Sequence, residues 1–229
     1  MPARVAHPRP LAVAILSGGE SRRMGSPKAL LPYRGKTFLE HLVEVTRHPR
    51  VGATCVVLGP HIEPIRQLLL GSAARVVVNA EWQQGQLSSI QTAIRSLLAD
   101  RTEGLILCPV DHPLISKTLI GSLIEAFDAS GKAIALPTFR GRRGHPVIFR
   151  STLYDELLTA SPGGSPADRL GPRRRYRRAF DGRGRGRTEP QRSGNPGKGG
   201  ARDCVGLALR KSWGAALGRR QRKVGRRET

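Results

Sequence analysis

Apolar residues run without a break from Leu11 to Leu16 (LAVAIL), the pattern of a strand covered on both faces. Thr37 and Glu40 then stand at capping-box spacing at the head of TFLEHLVEVTRH (37–48), a predicted helix with Phe38, Leu42 and Val45 on one face. TCVVLG (54–59) and RVVVN (75–79) read as strands. HIEPIRQLLL (61–70), between them, reads as a short helix with Pro64 in its first turn, where proline is tolerated. QLSSIQTAIRSLLAD (86–100) places Leu87, Ile90, Ile94 and Leu97 on one helical face, and GLILCPV (104–110) is a strand. SKTLIGSLIEAFDAS (116–130) predicts a helix capped by Ser116, with Leu119, Leu123 and Phe127 inward. KAIALP (132–137) and HPVIF (145–149) are strands, and STLYDELLTA (151–160) is a last helix capped by Ser151.

This alternation predicts an α/β domain with a parallel or mostly parallel sheet and right-handed crossovers. Ligands of such sheets lie at the carboxyl ends of the strands, so four loops matter: those after Leu16, Asn79, Val110 and Pro137. After Leu170 the periodicity stops, apart from VGLALRKSWGAALG (205–218), which could form a marginal amphipathic helix. Charge divides at the same place. Residues 1–170 hold 20 Lys and Arg against 13 Asp and Glu, whereas 171–229 hold 19 against 4. The expectation is a folded domain over 1–170 and a disordered Arg/Gly/Pro-rich tail over 171–229. Such an abrupt change is what a shifted reading frame in a G+C-rich gene produces; the alternative is a natural basic tail.

Cys55 and Cys108 sit in apolar runs and read as buried small hydrophobes, and Cys55, Cys108 and Cys204 form no metal-ligand spacing. MPARVAHPRP lacks the apolar core of a signal peptide, and no run approaches the ~20 apolar residues of a membrane span. A reduced, cytoplasmic protein without membrane contact is therefore expected.

Four segments carry candidate chemistry. In LSGGESRRMGSPKALLP (16–32), Gly18 and Gly19 let the backbone approach a phosphate, and Arg22, Arg23 and Lys28 supply cations. Neither Walker A spacing nor a dinucleotide fingerprint is present; the bland alternative is a glycine turn with solvated basic residues. In NAEWQQGQLSSIQTAI (79–94), Asn79 ends a strand, and Gly85, Ser88 and Ser89 open a helix whose amino terminus suits an anion or ribose. A plain helix cap would look the same. In CPVDHPLIS (108–116), Asp111 follows an apolar strand, the usual position of a Mg²⁺ ligand whose octahedron phosphates complete, or of a turn aspartate. Next to it, His112 reads as a turn residue with at most a substrate contact. In RGRRGHPVIF (140–149), Arg140, Arg142 and Arg143 form a basic loop able to embrace an anionic second substrate, or simply a solvated hairpin.

The pattern L-x-G-G-x-S-x-R-M-G-x-P-K-x-L-L resembles the signature loop of the MobA-like nucleotidyltransferases, which include the molybdenum cofactor cytidylyltransferases and guanylyltransferases. The other three segments follow in that family's order across roughly residues 11 to 165. Pro27 before Lys28, LLP after it and G-R-R-G-H-P-V-[IL]-F resemble the cytidylyltransferase branch, while Gly18-Gly19 resembles the guanylyltransferase form. The resemblance implies a Rossmann-like three-layer α/β/α fold of the nucleotide-diphospho-sugar transferase type. It implies Mg²⁺-dependent transfer of CMP or GMP from CTP or GTP to molybdopterin, with pyrophosphate released. On this resemblance the backbone of Leu16, Ser17 and Gly18 faces base and ribose. Gly19 and Arg23 lie by the phosphates, and Lys28 neutralises the α-phosphate. Asn79, Gly85 and Ser88 complete the nucleotide site, Asp111 binds the metal, and Arg142, Arg143, Gly144 and His145 border the acceptor. A molybdoenzyme or its chaperone is the implied protein partner.

Relatives of this kind end with a further strand and a D-[IL]-D-T-P-E-D-like segment bearing a second metal ligand, and nothing after Leu170 matches it. Two other readings stand beside this one. One is the same fold acting on a sugar phosphate or other small phosphate. The other is nonspecific nucleic-acid binding by the basic tail, which offers Tyr176, Phe180 and Trp213 for stacking but no recognised reader fold.

Overall fold

The computed structural model describes residues 8–20, 26–140 and 142–161 with their side chains, and 176–181 by backbone. In chain order the elements are β1 (Leu11–Ser17), β2 (Pro32–Tyr33), β3 (Lys36–Thr37), α1 (Phe38–Val45), β4 (Val51–Leu58), α2 (Ile62–Leu68), β5 (Arg75–Val78), α3 (Gln86–Leu97), β6 (Gly104–Pro109), α4 (Lys117–Ser130), β7 (Ile134–Phe139), β8 (Arg142–Arg143), β9 (Val147–Arg150), α5 (Tyr154–Thr159) and β10 (Tyr176–Asp181). Seven strands lie in the order β10-β7-β9-β6-β1-β4-β5, with β8 paired to β7; β2 and β3 form a separate hairpin. β1 pairs in parallel with both β4 and β6; β9 runs against its neighbours β6 and β7, and the short β8 runs against β7. The mostly parallel sheet is thus the expected one.

Every residue of β1 is buried, as its unbroken apolar run requires. Alternate side chains enter the two cores. Leu11, Val13 and Ile15 meet α1, α2 and α4, whereas Ala12, Ala14 and Leu16 meet α3 and α5. Helices cover both faces, giving the three-layer α/β/α architecture. The Thr37 hydroxyl accepts from the Glu40 amide at 3.2 Å, and Glu40 Oε2 accepts from the Thr37 amide at 2.8 Å, so the capping box forms. Ser116 caps α4, and Gly131 ends it with φ of 60°.

Three local expectations shift. In α1, Leu39 is buried with Leu42 and Val45 while Phe38 packs at the margin. In α4 the inward residues are Ile120, Leu123, Ile124 and Phe127, and Leu119 is half-buried, because a wide apolar stripe leaves its centre to the neighbours it packs on. Ser151 opens a 3₁₀ turn (Ser151–Leu153) rather than capping a helix with its side chain. A larger correction concerns the region after Leu170. No strand was expected there, yet Tyr176–Asp181 pairs in parallel with β7 at the sheet edge. Edge strands are held by main-chain hydrogen bonds and tolerate charge, so composition could not exclude one. The tail from 182 onward, with the helix expected at 205–218, lies outside the described residues.

The amino-terminal edge of the sheet is tied by ions. Arg50 Nη2 donates to Glu103 Oε2 at 3.0 Å and to Asp128 Oδ1 at 2.8 Å. Arg150 donates to the other Glu103 oxygen and stacks over Phe127 at 4.1 Å from the ring centroid. The Asp128 contact first, then Glu103, raises the Arg50 pKa against the burial that opposes it. These arginines and Glu103 are largely buried. We expect Glu103→Gln to cost about 2 kcal/mol, the worth of hydrogen bonds to charged groups. Urea denaturation measures it, and a loss under about 0.5 kcal/mol would class the network with weak surface pairs. A chain ending at Leu170 should also melt below one ending at Arg183, since it lacks β10; equal midpoints would make that strand energetically idle.

Candidate active site

The chain leaves β1 toward β4 on one side and returns, after β5, to β6 on the other. The carboxyl ends of β1 and β6 are therefore adjacent and diverge, the point at which open α/β sheets hold ligands. Leu16 O accepts from the Val110 amide at 3.0 Å, which joins the roots of the two loops.

Beyond β1 the chain passes through Ser17, Gly18, Gly19 and Glu20. A Cβ on Gly18 would stand 3.0 Å from Ser89 Oγ. A Cβ on Gly59 would stand 2.5 Å from Gly18 O. The β1 loop is thus clamped between the start of α3 and the end of β4; Gly59 is required by close approach of backbone, and a side chain on Gly18 would have to displace the Ser89 hydroxyl. His61 Nε2 lies 3.2 Å from Glu20 O and braces the loop further along. Arg22 and Arg23 fall outside the described residues.

Asn79 and Ser88, expected at the nucleotide, are buried at 3% and 2% exposure. Asn79 Nδ2 donates to Ser88 Oγ at 2.9 Å and to Ser89 Oγ at 3.0 Å, and its Oδ1 accepts from the Glu81 amide at 3.0 Å. These side chains form a staple holding the α3 amino terminus against β5, beneath the loop. Gly85 begins α3 with φ of 96°, a backbone that side-chain-bearing residues rarely adopt. The first turn of α3 contains no acidic residue, and among the described residues no side chain caps its amides at this edge.

Lys28 sits in a 3₁₀ turn (Lys28–Leu30) and reaches across to β6, its Nζ 3.2 Å from Asp111 Oδ2. The other carboxylate oxygen, Oδ1, lies 2.9 Å from His112 Nδ1. The hydrogen bond from His112 first, then the Lys28 ammonium, holds the Asp111 carboxyl well below the usual carboxylate range against partial desolvation. Asp111 is consequently ionised, and the His112 Nδ1–H donates to it. The ring of His112 meets that of His145 edge-on, with centroids 4.8 Å apart. His145 Nδ1 is buried without a hydrogen-bond partner among the described residues. Burial, with His112 nearby, pushes the His145 imidazole down to about 4.

The basic hairpin stands at the carboxyl end of β7, on the same edge of the sheet. Thr138 pairs with Arg143 and Phe139 with Arg142. Gly144 N donates to Pro137 O at 2.9 Å, and a cis bond joins His145 to Pro146. Arg142 and Arg143 are exposed. Lys28, Asp111, His112 and His145 form one chain of contacts, whereas Asn79 and Ser88 are buried against each other beneath the loop. The sequence reading missed the hydrogen bond of His112 and its packing on His145. The adjacency of Asp and His in a proline-flanked turn was the available signal. Among the described residues no cluster of three or more His, Cys, Asp or Glu could hold a metal by itself, and no helix is long and apolar enough to cross a membrane.

Residues 13–178 match the family model described as the MobA-like NTP transferase domain. A probable molybdenum cofactor guanylyltransferase of Mycobacterium avium (strain 104) is 31% identical over 158 residues, covering 68% of this chain and 77% of that protein. Nicotine blue oxidoreductase of Paenarthrobacter nicotinovorans is 28% identical over 160 residues, covering 67% and 77%. Among solved structures, Rv0371c from Mycobacterium tuberculosis H37Rv has a TM-score of 0.65 at 25% identity, covering 76% of this chain and 89% of its own. That protein has also been solved in complex with manganese.

The part-buried His145 carries a pH prediction. Its ordinary value is 6.5 and its folded value about 4, so between these the unfolded chain binds the proton more readily. Stability should fall as pH drops from about 6.5 toward 4, and His145→Phe should flatten that slope. Denaturation midpoints at pH 7.5 and 4.5 measure it; identical slopes in the two proteins would remove His145 as the cause.

Proposed function

We propose, for a chain that belongs to the MobA-like NTP transferase family, that it transfers GMP or CMP from the triphosphate to the terminal phosphate of a molybdopterin-type acceptor. The observation that carries this reading is the meeting of Lys28 and Asp111 at 3.2 Å beside a glycine loop at the switch point of the sheet. A phosphate oxygen of the acceptor attacks the α-phosphorus in line, the bond from that phosphorus to the bridging oxygen breaks, and pyrophosphate leaves. The acceptor brings its own nucleophile, so the protein positions and neutralises. Gly18 and Gly19 offer backbone to the phosphates, and the amino terminus of α3 adds its dipole. Lys28 takes up charge at the α-phosphate, and the family resemblance gives Arg23 a phosphate role as well. Base and ribose lie against Leu16, Ser17 and Gly85, above the Asn79–Ser88 staple. Arg142, Arg143, Gly144 and His145 border the acceptor.

The residues fit a divalent cation carried in on the triphosphate better than a resident one. Asp111 is ionised and exposed, and Mg²⁺ is commonly held by one or two carboxylates with substrate phosphates. When bound, such a cation would neutralise phosphate charge at Asp111. Manganese in Rv0371c supports divalent chemistry on this fold. The guanylyltransferase relative favours GTP, and the G-R-R-G-H-P-V-I-F run favours CTP. The product would pass to a molybdoenzyme or its chaperone in the cytoplasm.

Equilibrium binding of CTP and GTP, each with and without Mg²⁺, tests the reading, followed by pyrophosphate release with molybdopterin. Binding of neither triphosphate would overturn it; release only with a sugar phosphate would move the acceptor. Lys28→Ala should lower turnover on the order of 10²–10³-fold while the fold survives, since the lost charge acts on the transition state. Asp111→Ala should abolish the cation-dependent part of triphosphate binding. Unchanged turnover in the first variant, or unchanged cation dependence in the second, would remove that residue from its role.

A further inference from the structure

The two oxygens of Asp111 are held differently. Oδ2 faces Lys28, a contact between side chains that are 40% and 46% exposed. Oδ1 faces His112, whose position is fixed on several sides. The His112 amide donates to Pro109 O at 3.2 Å, and the His112 carbonyl accepts from the Ile115 amide at 3.2 Å. Its ring is wedged against His145, which is itself part-buried at the head of β9. Side chains of adjacent residues do not ordinarily meet, and here a tight turn folds the imidazole back onto its neighbour's carboxylate at 2.9 Å.

We propose that His112 is a positioning residue for Asp111: its Nδ1–H grips Oδ1 and sets the carboxylate plane, leaving Oδ2 as the oxygen that exchanges Lys28 for a divalent cation. The role rests on the nucleotide-transfer reading above and adds to it an assignment for a side chain that reading does not use. An aspartate free to rotate would present either oxygen, and the cation would have to order it on arrival. With one oxygen anchored to a ring that the turn and His145 hold, only Oδ2 is available, and the carboxylate is arranged before the cation comes. Hydrogen-bonded partners of this sort tune metal ligands by about 10–100-fold in affinity. His145 is then a wall behind His112 as well as a border of the acceptor site.

Two measurements on the full chain decide it. The first is imidazole ¹⁵N NMR of the metal-free protein at pH 8. His112 should carry its proton on Nδ1, the less common tautomer of a free ring, in wild type and in His145→Phe, and should revert to Nε2–H in Asp111→Ala. A wild-type His112 protonated on Nε2 overturns the proposal. The second uses Mn²⁺ alone, read as paramagnetic broadening of backbone signals around residue 111. His112→Ala should need about 10-fold more Mn²⁺ for half broadening. His112→Asn, whose side-chain N–H can replace the imidazole donor, should recover most of the loss. Equal Mn²⁺ dependence in wild type and His112→Ala, equal weakening in both variants, or no broadening near residue 111 in wild type would each refute the positioning role. Failure of the nucleotide reading would appear separately, as wild type binding neither CTP nor GTP, and would leave both NMR results standing.

Discussion

Parallel pairing of β1 on both its edges is the constraint on which the rest depends. A chain that leaves a central strand to one side and returns on the other must place two successive crossovers on opposite flanks. The loops above β1 and β6 then share one crevice with no strand between them. That is how Lys28 and Asp111, 83 positions apart in sequence, meet at hydrogen-bond distance. The opposite edge of the sheet carries the tightly held charges, where Arg50, Glu103, Asp128 and Arg150 lock β6, β9 and α4 together. The ion pair at the ligand edge is half-exposed, and such pairs contribute little to stability. One edge therefore resists rearrangement, and the other can exchange partners at small cost.

Between the sheet and the crevice lies a layer of short polar side chains. Asn79, Ser88 and Ser89 satisfy one another and are buried. Their small size lets α3 come close enough for Ser89 to limit the volume at Gly18. Polar groups buried in this way specify position, because any shift leaves a donor unmet. The crevice floor is accordingly set by chemistry that does not itself face the crevice.

Much of this was legible in the chain. Short unbroken apolar runs and a 3.6-residue period identify the strands and helices because burial on both faces or on one leaves a direct imprint on composition. Thr37 and Glu40 announced their capping box for the same reason: the partners are three residues apart. What escaped reading was tertiary. His112 and His145 are brought together by the return of β9 antiparallel to β6, which no local pattern encodes. Asn79 and Ser88 look alike in sequence whether they face a ribose or each other. β10 was missed because an arginine-bearing edge strand is specified by its neighbour's free backbone rather than by apolar residues.

The glycines of the β1 loop separate two kinds of necessity. A Cβ on Gly59 would collide with the Gly18 backbone, and one on Gly18 would crowd the Ser89 hydroxyl, so the molecule's own architecture accounts for both. Gly19 is different. It does not have a positive φ, and a Cβ built there meets no atom of the described residues within 4 Å. Among the described residues, neither a positive φ nor a close contact asks for glycine at that position. Of the two adjacent glycines, only the first is set closely against another element of the fold among the described residues.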